Sequence, residues 1–255
     1  MRTRNKVELS VESLHRLCAA QGLGEPHTLF TGGARYYPQR HQQEADAQLR
    51  RELDAAGVNG ARGIDPEFLD LLGVVQRGAV EYYGWLQDAE GPYSVLVAAA
   101  GRVGVLAQRV GEKVAFERVD PARLVESFVF RLPNVPAARG EAVSVRESDY
   151  ADGASTVDAG GFRMSRPRSA RAPEARRLEA LVRAPRVGGG KLYTARRDHR
   201  GTRVRAADWL SFIDLPDGRW ALYRTSGRGE RSISAVPGTP QFIRKRLSEL
   251  HATIG

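Results

Sequence analysis

The apolar positions of this chain follow a helical spacing near the N-terminus and a strand spacing further on. The first helix begins after Ser10, a good N-cap, and Leu14 and Leu17 form its apolar face. Asp65 and Pro66 are typical of the N-cap and first turn of another helix. Helices are therefore predicted over 11–20, 39–56 and 65–77. Runs of β-branched and aromatic residues between turn residues then predict strands over 80–87, 93–100, 103–110 and 113–119.

The second half of the chain repeats this succession after an irregular stretch. A helix over 120–131 is followed by residues 134–173, which hold prolines, glycines and serines but few apolar residues in any period. That stretch is predicted to be a linker or a mobile excursion. Beyond it, a helix is predicted over 174–184, and residues 186–250 are typical of four strands joined by tight turns and a closing helix.

The two β-rich blocks match each other as an internal repeat. Tyr83 corresponds to Tyr193, 110 residues later, and Val119 corresponds to Val236, 117 residues later. The change of offset falls in the first hairpin, and insertions are best tolerated in turns. The repeated halves cover roughly 65–133 and 174–253. We therefore predict one α+β domain over 1–255, with a central antiparallel sheet, a pseudo-twofold repeat and helical bundles at its ends.

The strongly basic composition allows more than one interpretation. The formal net charge is +9, and nearly all of the basic residues are arginines. A basic surface favours nucleic acid or an acidic partner, whereas a codon bias towards arginine would also fill solvated positions with this residue. The arginines are spread along the chain, with one concentration at 163–177 in the predicted linker region. Nucleic-acid binding is therefore kept as an alternative hypothesis.

Cysteine content and hydropathy favour a cytoplasmic protein. The chain has one cysteine, Cys18, which can form neither an internal disulfide nor a cysteine-based zinc site. The first residues lack the apolar core of a signal peptide. The longest apolar run, 95–107, is broken by Arg102 and is too short for a membrane-spanning helix, which needs about 20 residues.

No combination of side chains in the sequence indicates a reaction. The five histidines show no metal-ligand spacing with one another or with carboxylates. The glycines before Lys191 resemble a phosphate loop only in part, because Pro185 replaces its first glycine and Leu192 replaces its Ser or Thr. A G-x-S-x-G nucleophile elbow is also missing. We therefore expect a protein that is not an enzyme and holds no cofactor or metal.

Two strands of the second block carry large apolar side chains on both faces. Alternation places Trp209 and Phe212 on opposite faces of one strand, and Trp220 and Tyr223 on opposite faces of the next. Such strands are either buried on both sides or open to a partner on one side, where aromatic side chains act as anchors. The closing helix has an ordinary amphipathic pattern with Phe242 on its apolar face.

Three blocks of the sequence together carry a family resemblance. In chain order they are VELSVESLHRLCAAQGL, the block that runs from DPEFLDLL to AAAGRVGVLAQRVGEKVAFERVDPARLVESFVFRLP, and GGGKLYTARRDHRGTRVRAADWLSFIDLPDGRWALY. In their order, spacing and total length the chain resembles the EspG family of type VII (ESX) secretion-associated proteins. The most specific part of the resemblance is the block W-L-S-F-I-D…D-G-R-W.

The resemblance implies a cytosolic chaperone. Such a chaperone binds the PPE partner of PE–PPE heterodimers, keeps it soluble and hands it to the secretion machinery. The resemblance also implies a central antiparallel sheet with pseudo-twofold symmetry and terminal helical bundles, in agreement with the repeat. The sheet and the C-terminal helical bundle would form the client surface. By position, that surface would include Trp209, Phe212, Trp220, Tyr223, Phe242 and Arg246.

Overall fold

Helices cover both faces of a large antiparallel sheet. The computed structural model describes residues 6–24, 26–32, 39–151, 173–227 and 230–254. The helices within these ranges are α1 (Val11–Ala20), α2 (Gln39–Ala55), α3 (Pro66–Arg77), α4 (Leu124–Val129), α5 (Glu147–Ala151), α6 (Pro173–Arg183) and α7 (Pro240–Ala252). Two 3₁₀ turns are formed by Thr28–Phe30 and Pro121–Arg123.

The strands of the main sheet follow one another mostly as antiparallel hairpins. They are β1 (Val7–Ser10), β4 (Val80–Asp88), β5 (Gly91–Ala100), β6 (Val103–Val110), β7 (Lys113–Val119), β8 (Val143–Arg146), β9 (Gly188–Arg197), β10 (Arg203–Arg205), β11 (Leu210–Leu215), β12 (Gly218–Gly227) and β13 (Glu230–Pro237). Their spatial order is β1-β7-β6-β5-β4-β9-β11-β12-β13-β8, with β10 paired to β9. A separate small ribbon is made by β2 (Asn59–Gly60) and β3 (Gly63–Ile64).

The sheet has a pseudo-twofold axis at its centre. β4 and β9 are neighbours there, and each leads outwards into a meander of three further strands. Tyr83 and Tyr193 are direct partners in the β4–β9 register, and their rings stack with centroids 5.4 Å apart. These are the two tyrosines that correspond in the sequence repeat, so the axis passes through this pair. The predicted α+β fold with a repeated antiparallel sheet is confirmed.

Capping residues in the sequence set where the helices begin. The Ser10 hydroxyl accepts a hydrogen bond from the backbone N–H of Ser13 at 3.1 Å, which starts α1. The Asp65 carboxylate accepts one from the N–H of Glu67 at 3.0 Å, and proline follows it at the first position of α3. Both starts agree with the sequence prediction.

Helices cover the two faces of the sheet differently. On one face, α4 and α7 pack across the centre, over a core that includes Leu86, Phe212 and Leu247. On the opposite face, α1, α2 and α3 cover the N-terminal half of the sheet, and α6 covers the C-terminal half. The middle of this second face lies between the two groups of helices, and Trp85 is exposed there.

The stretch predicted to be a linker or a mobile excursion, 134–173, is partly built into the fold, and the prediction is wrong for residues 143–151, which form a strand and a helix. Strand β8 pairs with β13 at the edge of the sheet, and α5 follows it directly. Val143 and Val145 are buried in the core beneath α6. Four alternating residues make too short a pattern to stand out among prolines and glycines. Residues 152–172 lie outside the described residues.

The second block contains one strand more than the four predicted. β4 and β5 are joined by residues 89–90, whereas β9 and β11 are joined by residues 198–209, which include β10. The extra residues therefore lie in the first hairpin of the second half, where the sequence repeat predicted an insertion. β10 has only three residues and pairs with β9 alone, so no hydrophobic alternation marks it in the sequence.

Candidate partner-binding surface

The uncovered middle of the sheet forms a cleft beside α6, which we call the central cleft. Its volume is about 670 Å³. The sheet supplies its floor and α6 supplies one wall. Its lining includes Trp85, Leu178, Val182, Val187, Lys191 and Trp209. The cleft is therefore mainly apolar, with Lys191 and Arg186 as the charged residues of its lining.

Aromatic rings from the two central strands meet at one end of this cleft. Trp85 lies edge-on to Tyr193 at 5.6 Å between ring centroids and to Tyr83 at 5.8 Å. Tyr83 is buried, whereas Trp85 is 45% exposed. Packed aromatic neighbours hold the indole ring in a fixed orientation while much of its surface contacts solvent. Trp85 thus presents an apolar surface of fixed orientation to solvent.

Glycines at the start of β9 keep the floor of the cleft open. Gly189 adds no side chain to the face that carries Lys191, so the sheet backbone is accessible there. On the opposite face, a Cβ atom at Gly190 would lie 2.5 Å from Leu86 Cδ2 and 2.8 Å from Phe212 Cε1. The glycine run is therefore a closely packed piece of strand, and not a phosphate loop.

A smaller cavity beside the central cleft is lined by two cations, Lys191 and Arg205, and we call it the basic pocket. Its volume is about 310 Å³, and its lining includes Lys191, Tyr193, Arg205, Asp208 and Trp209. The Arg205 guanidinium lies 5.1 Å from the centroid of the Tyr193 ring. Asp208 is already paired, because Arg224 Nε donates to its Oδ1 at 2.9 Å.

A buried charged cluster supports the end of the cleft at Tyr83. Glu81 is 1% exposed, and its Oε2 accepts a hydrogen bond from Arg203 Nε at 2.7 Å. His27 Nε2 lies 3.5 Å from the same oxygen. Burial alone raises the pKa of Glu81, but the His27 hydrogen bond and the Arg203 charge outweigh it and hold this pKa below its usual value. The Arg203 guanidinium also lies 4.8 Å from the Tyr83 ring centroid, so the cluster fixes that ring.

The described residues show no candidate metal centre and no helix that could span a membrane. Within the described part of the chain, no group of three or more His, Cys, Asp or Glu residues could hold a metal ion. None of the helices described is long and apolar enough to cross a membrane. Aromatic rings, aliphatic groups and cations form the surface of the site, and this arrangement is suited to binding.

Comparison with known proteins assigns the family. A model of the EspG family matches residues 10–249. This chain belongs to the EspG family. Among solved structures, the Mycobacterium tuberculosis type VII secretion system chaperone EspG5, determined in complex with a PE25–PPE41 dimer, matches with a TM-score of 0.70 and 18% identity. The match covers 98% of this chain and 97% of EspG5. At that identity the likeness shows a shared fold. No curated protein matches the chain.

The six residues predicted for the client surface differ in accessibility in this EspG-family protein, and the first three are Trp209, Phe212 and Trp220. Trp209 is partly exposed and lines both the central cleft and the basic pocket. Phe212 is 1% exposed and Trp220 is 3% exposed, on opposite faces of the sheet. These two side chains belong to the hydrophobic core and offer a partner almost no surface.

The other three predicted residues lie together on the opposite face of the sheet. Tyr223 and Phe242 are partly exposed, with ring centroids 5.5 Å apart. The Arg246 guanidinium lies 4.8 Å from the Tyr223 ring centroid, and its Nη2 donates to the backbone oxygen of Arg224 at 2.9 Å. The sheet therefore separates the predicted residues into Trp209 and Trp220 on one face and Phe212, Tyr223, Phe242 and Arg246 on the other.

Several lining residues were not among those predicted, although the sequence contains a signal for them. Strand β4 alternates, so Trp85 shares a face with Tyr83. The repeat pairs Tyr83 with Tyr193, and this places both strands at the centre of the sheet. Combining these two patterns would have identified Trp85, Tyr193 and Lys191 as neighbours. The strand alternation and the repeat do not show which face of the sheet the helices leave uncovered.

Proposed function

We propose that this protein is a cytosolic chaperone that binds PE–PPE-type substrates of a type VII secretion system, keeps them soluble and delivers them for export. The observation that carries the proposal is the preformed aromatic cleft at the centre of the sheet. Membership of the EspG family and the fold shared with EspG5, which was solved in complex with a PE25–PPE41 dimer, support it.

The shape and chemistry of the central cleft suit this role. A client with an apolar tip would aggregate if the tip stayed exposed, and a rigid apolar cleft covers such a tip at little entropic cost. The cleft volume of about 670 Å³ accommodates a few side chains of a client. An interface of modest size binds reversibly, so a competing surface on the secretion machinery would be sufficient for release.

We also infer that the protein acts by binding and not by catalysis. The family has a chaperone role, and the two cavities described above bring together no pair of carboxylates. The nucleic-acid alternative has no comparable support, because many of the arginines serve the fold. Carboxylate partners are found for Arg16, Arg109, Arg131, Arg203, Arg219 and Arg224.

The proposed client contacts are Trp209, which was predicted from the sequence, together with Trp85 and Tyr193. Tyr223, Phe242 and Arg246 remain a second proposed contact region, on the face that carries α7. A client that covers the edge of the sheet could reach both. Separate substitutions on the two faces distinguish these regions.

The proposal is tested by co-expression with a PE–PPE pair from the same genome, followed by size-exclusion chromatography. We expect a complex of equal stoichiometry with the wild-type chain. Trp85→Thr, which keeps a residue that favours strands, should weaken binding about thirtyfold, as removal of a hot-spot aromatic does. Phe130→Ala is the matched control, because Phe130 is 84% exposed but lies outside the central cleft.

The variants also locate the client surface. Equal loss of binding in Trp85→Thr and Phe130→Ala would show that the central cleft is not the specific client site. Loss in Phe242→Ala alone would move the contact to the opposite face. If PE–PPE pairs from that genome never co-purify with the wild-type chain and gain no solubility from it, the proposed function is wrong.

A further inference from the structure

The basic pocket adjoins the central cleft, and the two share Lys191 and Trp209. A partner bound in the cleft therefore lies next to the pocket. Lys191 and Arg205 are both exposed at this place. Within the described residues, no carboxylate forms an ion pair with either of them. Both cations are thus available to a group that arrives from outside.

The pocket has the charge and the fixed geometry needed to hold an anion. Stacking of the Arg205 guanidinium on the Tyr193 ring limits where its N–H donors can point. Asp208, the carboxylate in the lining, is neutralised by Arg224 Nε at 2.9 Å. The net charge of the lining is therefore positive. The Trp209 ring closes one side and lowers the exposure of a bound group to water.

We propose that the basic pocket receives an aspartate or glutamate side chain of the partner whose apolar part occupies the central cleft. This inference rests on the proposed function and adds a chemical requirement to it. The partner must carry a carboxylate beside its apolar tip. Lys191 provides a point charge, and Arg205 provides a planar fork that matches a carboxylate.

The two cavities then have different roles in recognition. Apolar contacts with Trp85 in the cleft provide most of the affinity. The cations of the pocket select among clients with similar apolar tips, because a client without the carboxylate leaves them unpaired. Charged contacts at the rim of an interface mainly change the association rate and its dependence on salt. Discrimination by this pocket should therefore be strongest at low ionic strength.

The test measures the affinity of the wild-type chain and two double variants for the same PE–PPE heterodimer at low and high salt. Lys191→Gln with Arg205→Gln removes the pocket cations. Arg118→Gln with Arg123→Gln is the matched control, because both arginines are exposed, lie in the N-terminal half and line neither cavity. The two variants have the same net charge.

We expect the pocket variant to bind about tenfold more weakly than the wild type at low salt and nearly as tightly at high salt. The control should lose less than about twofold. A pocket variant that binds as tightly as the control overturns the inference but leaves the proposed function intact. Failure of the wild-type chain to bind any PE–PPE heterodimer instead contradicts the proposed function.

A second probe tests the pocket without a client. Fluorescence anisotropy of a labelled hexaglutamate peptide, compared with a hexaglutamine peptide, reports directly on carboxylate binding. Preferential binding of hexaglutamate that is lost in the pocket variant and kept in the control supports the inference. Equal binding of hexaglutamate by both variants shows that overall charge alone attracts the peptide, and this overturns the inference.

Discussion

Replacing Asp214 by asparagine should destabilise the protein severely. Asp214 and Arg219 form a buried ion pair between β11 and β12, with side chains 1% and 2% exposed. Arg219 Nε and Nη2 donate to the two carboxylate oxygens at 2.7 and 2.8 Å. The guanidinium also lies 4.2 Å from the Phe212 ring centroid, and Nη2 donates to the Pro133 backbone oxygen at 2.9 Å.

The size of the effect follows from what the substitution leaves behind. Asparagine keeps the shape of the side chain but removes the negative charge, so a guanidinium stays buried without a counter-charge. Breaking a buried pair in this way costs about 3–5 kcal/mol of unfolding free energy. A domain of this kind has a total stability of roughly 5–15 kcal/mol, so much of it would be lost.

Urea denaturation followed by far-UV circular dichroism measures this loss. The matched control is Asp208→Asn, because Asp208 pairs with Arg224 at 2.9 Å while both side chains are partly exposed. This control should lose less than about 1 kcal/mol. A loss below about 1 kcal/mol for Asp214→Asn, or equal losses at the two sites, would refute the reasoning. The double variant Asp214→Leu with Arg219→Met should be more stable than Asp214→Asn, because no unpaired charge remains.

Three further predictions concern stability. Gly190→Ala should cost about 1–3 kcal/mol in urea denaturation, because its Cβ meets Leu86 at 2.5 Å; a neutral result would contradict the close packing of β9. Gly73→Ala should instead raise stability by about 0.5–1 kcal/mol, since this glycine lies inside α3 with open space around it; destabilisation would refute the argument. The pKa of Glu81 is lower in the folded protein than its ordinary value of 4.5, so ionised Glu81 stabilises the fold at pH values above 4.5. This stabilisation is lost as the pH falls through the folded-state pKa. Glu81→Gln should therefore be less stable near neutral pH and should lose less on acidification, whereas an unchanged pH profile would count against this role.

The helices and strands that a single hydrophobic pattern marks in the sequence were predicted correctly. The first helix begins at a capping serine above an apolar face, and the hairpins from β4 to β7 are bounded by turn residues, so both were predicted correctly. The repeat then predicted a sheet with pseudo-twofold symmetry. β8 and β10 were missed because a strand of three or four residues gains its stability from its neighbours in the sheet, which a local pattern does not contain.

The candidate site was less predictable than the fold. Alternation correctly separated Trp209 from Phe212, but it could not show which face the helices cover. That choice depends on where α6 and α7 pack in three dimensions. Phe212 and Trp220 are buried because helices lie over both faces of β11 and β12, whereas Trp85 is exposed in a part of the sheet face that no described helix crosses.

The central strand pair has a consequence for how the chain folds. β4–β9 is the only strand pairing among the described residues that joins the N-terminal and C-terminal halves, and it connects residues as distant as Val80 and Arg196. The hairpins on either side close over short loops, whose entropic cost is small. We therefore expect the two meanders to form early and the β4–β9 register to form last. φ-value measurements should give low values at Tyr193, whose ring stacks on Tyr83 across the β4–β9 pairing, and higher values at Val105. The same strands that form the floor of the central cleft would then complete the folded sheet, so an incompletely folded chain would lack the cleft.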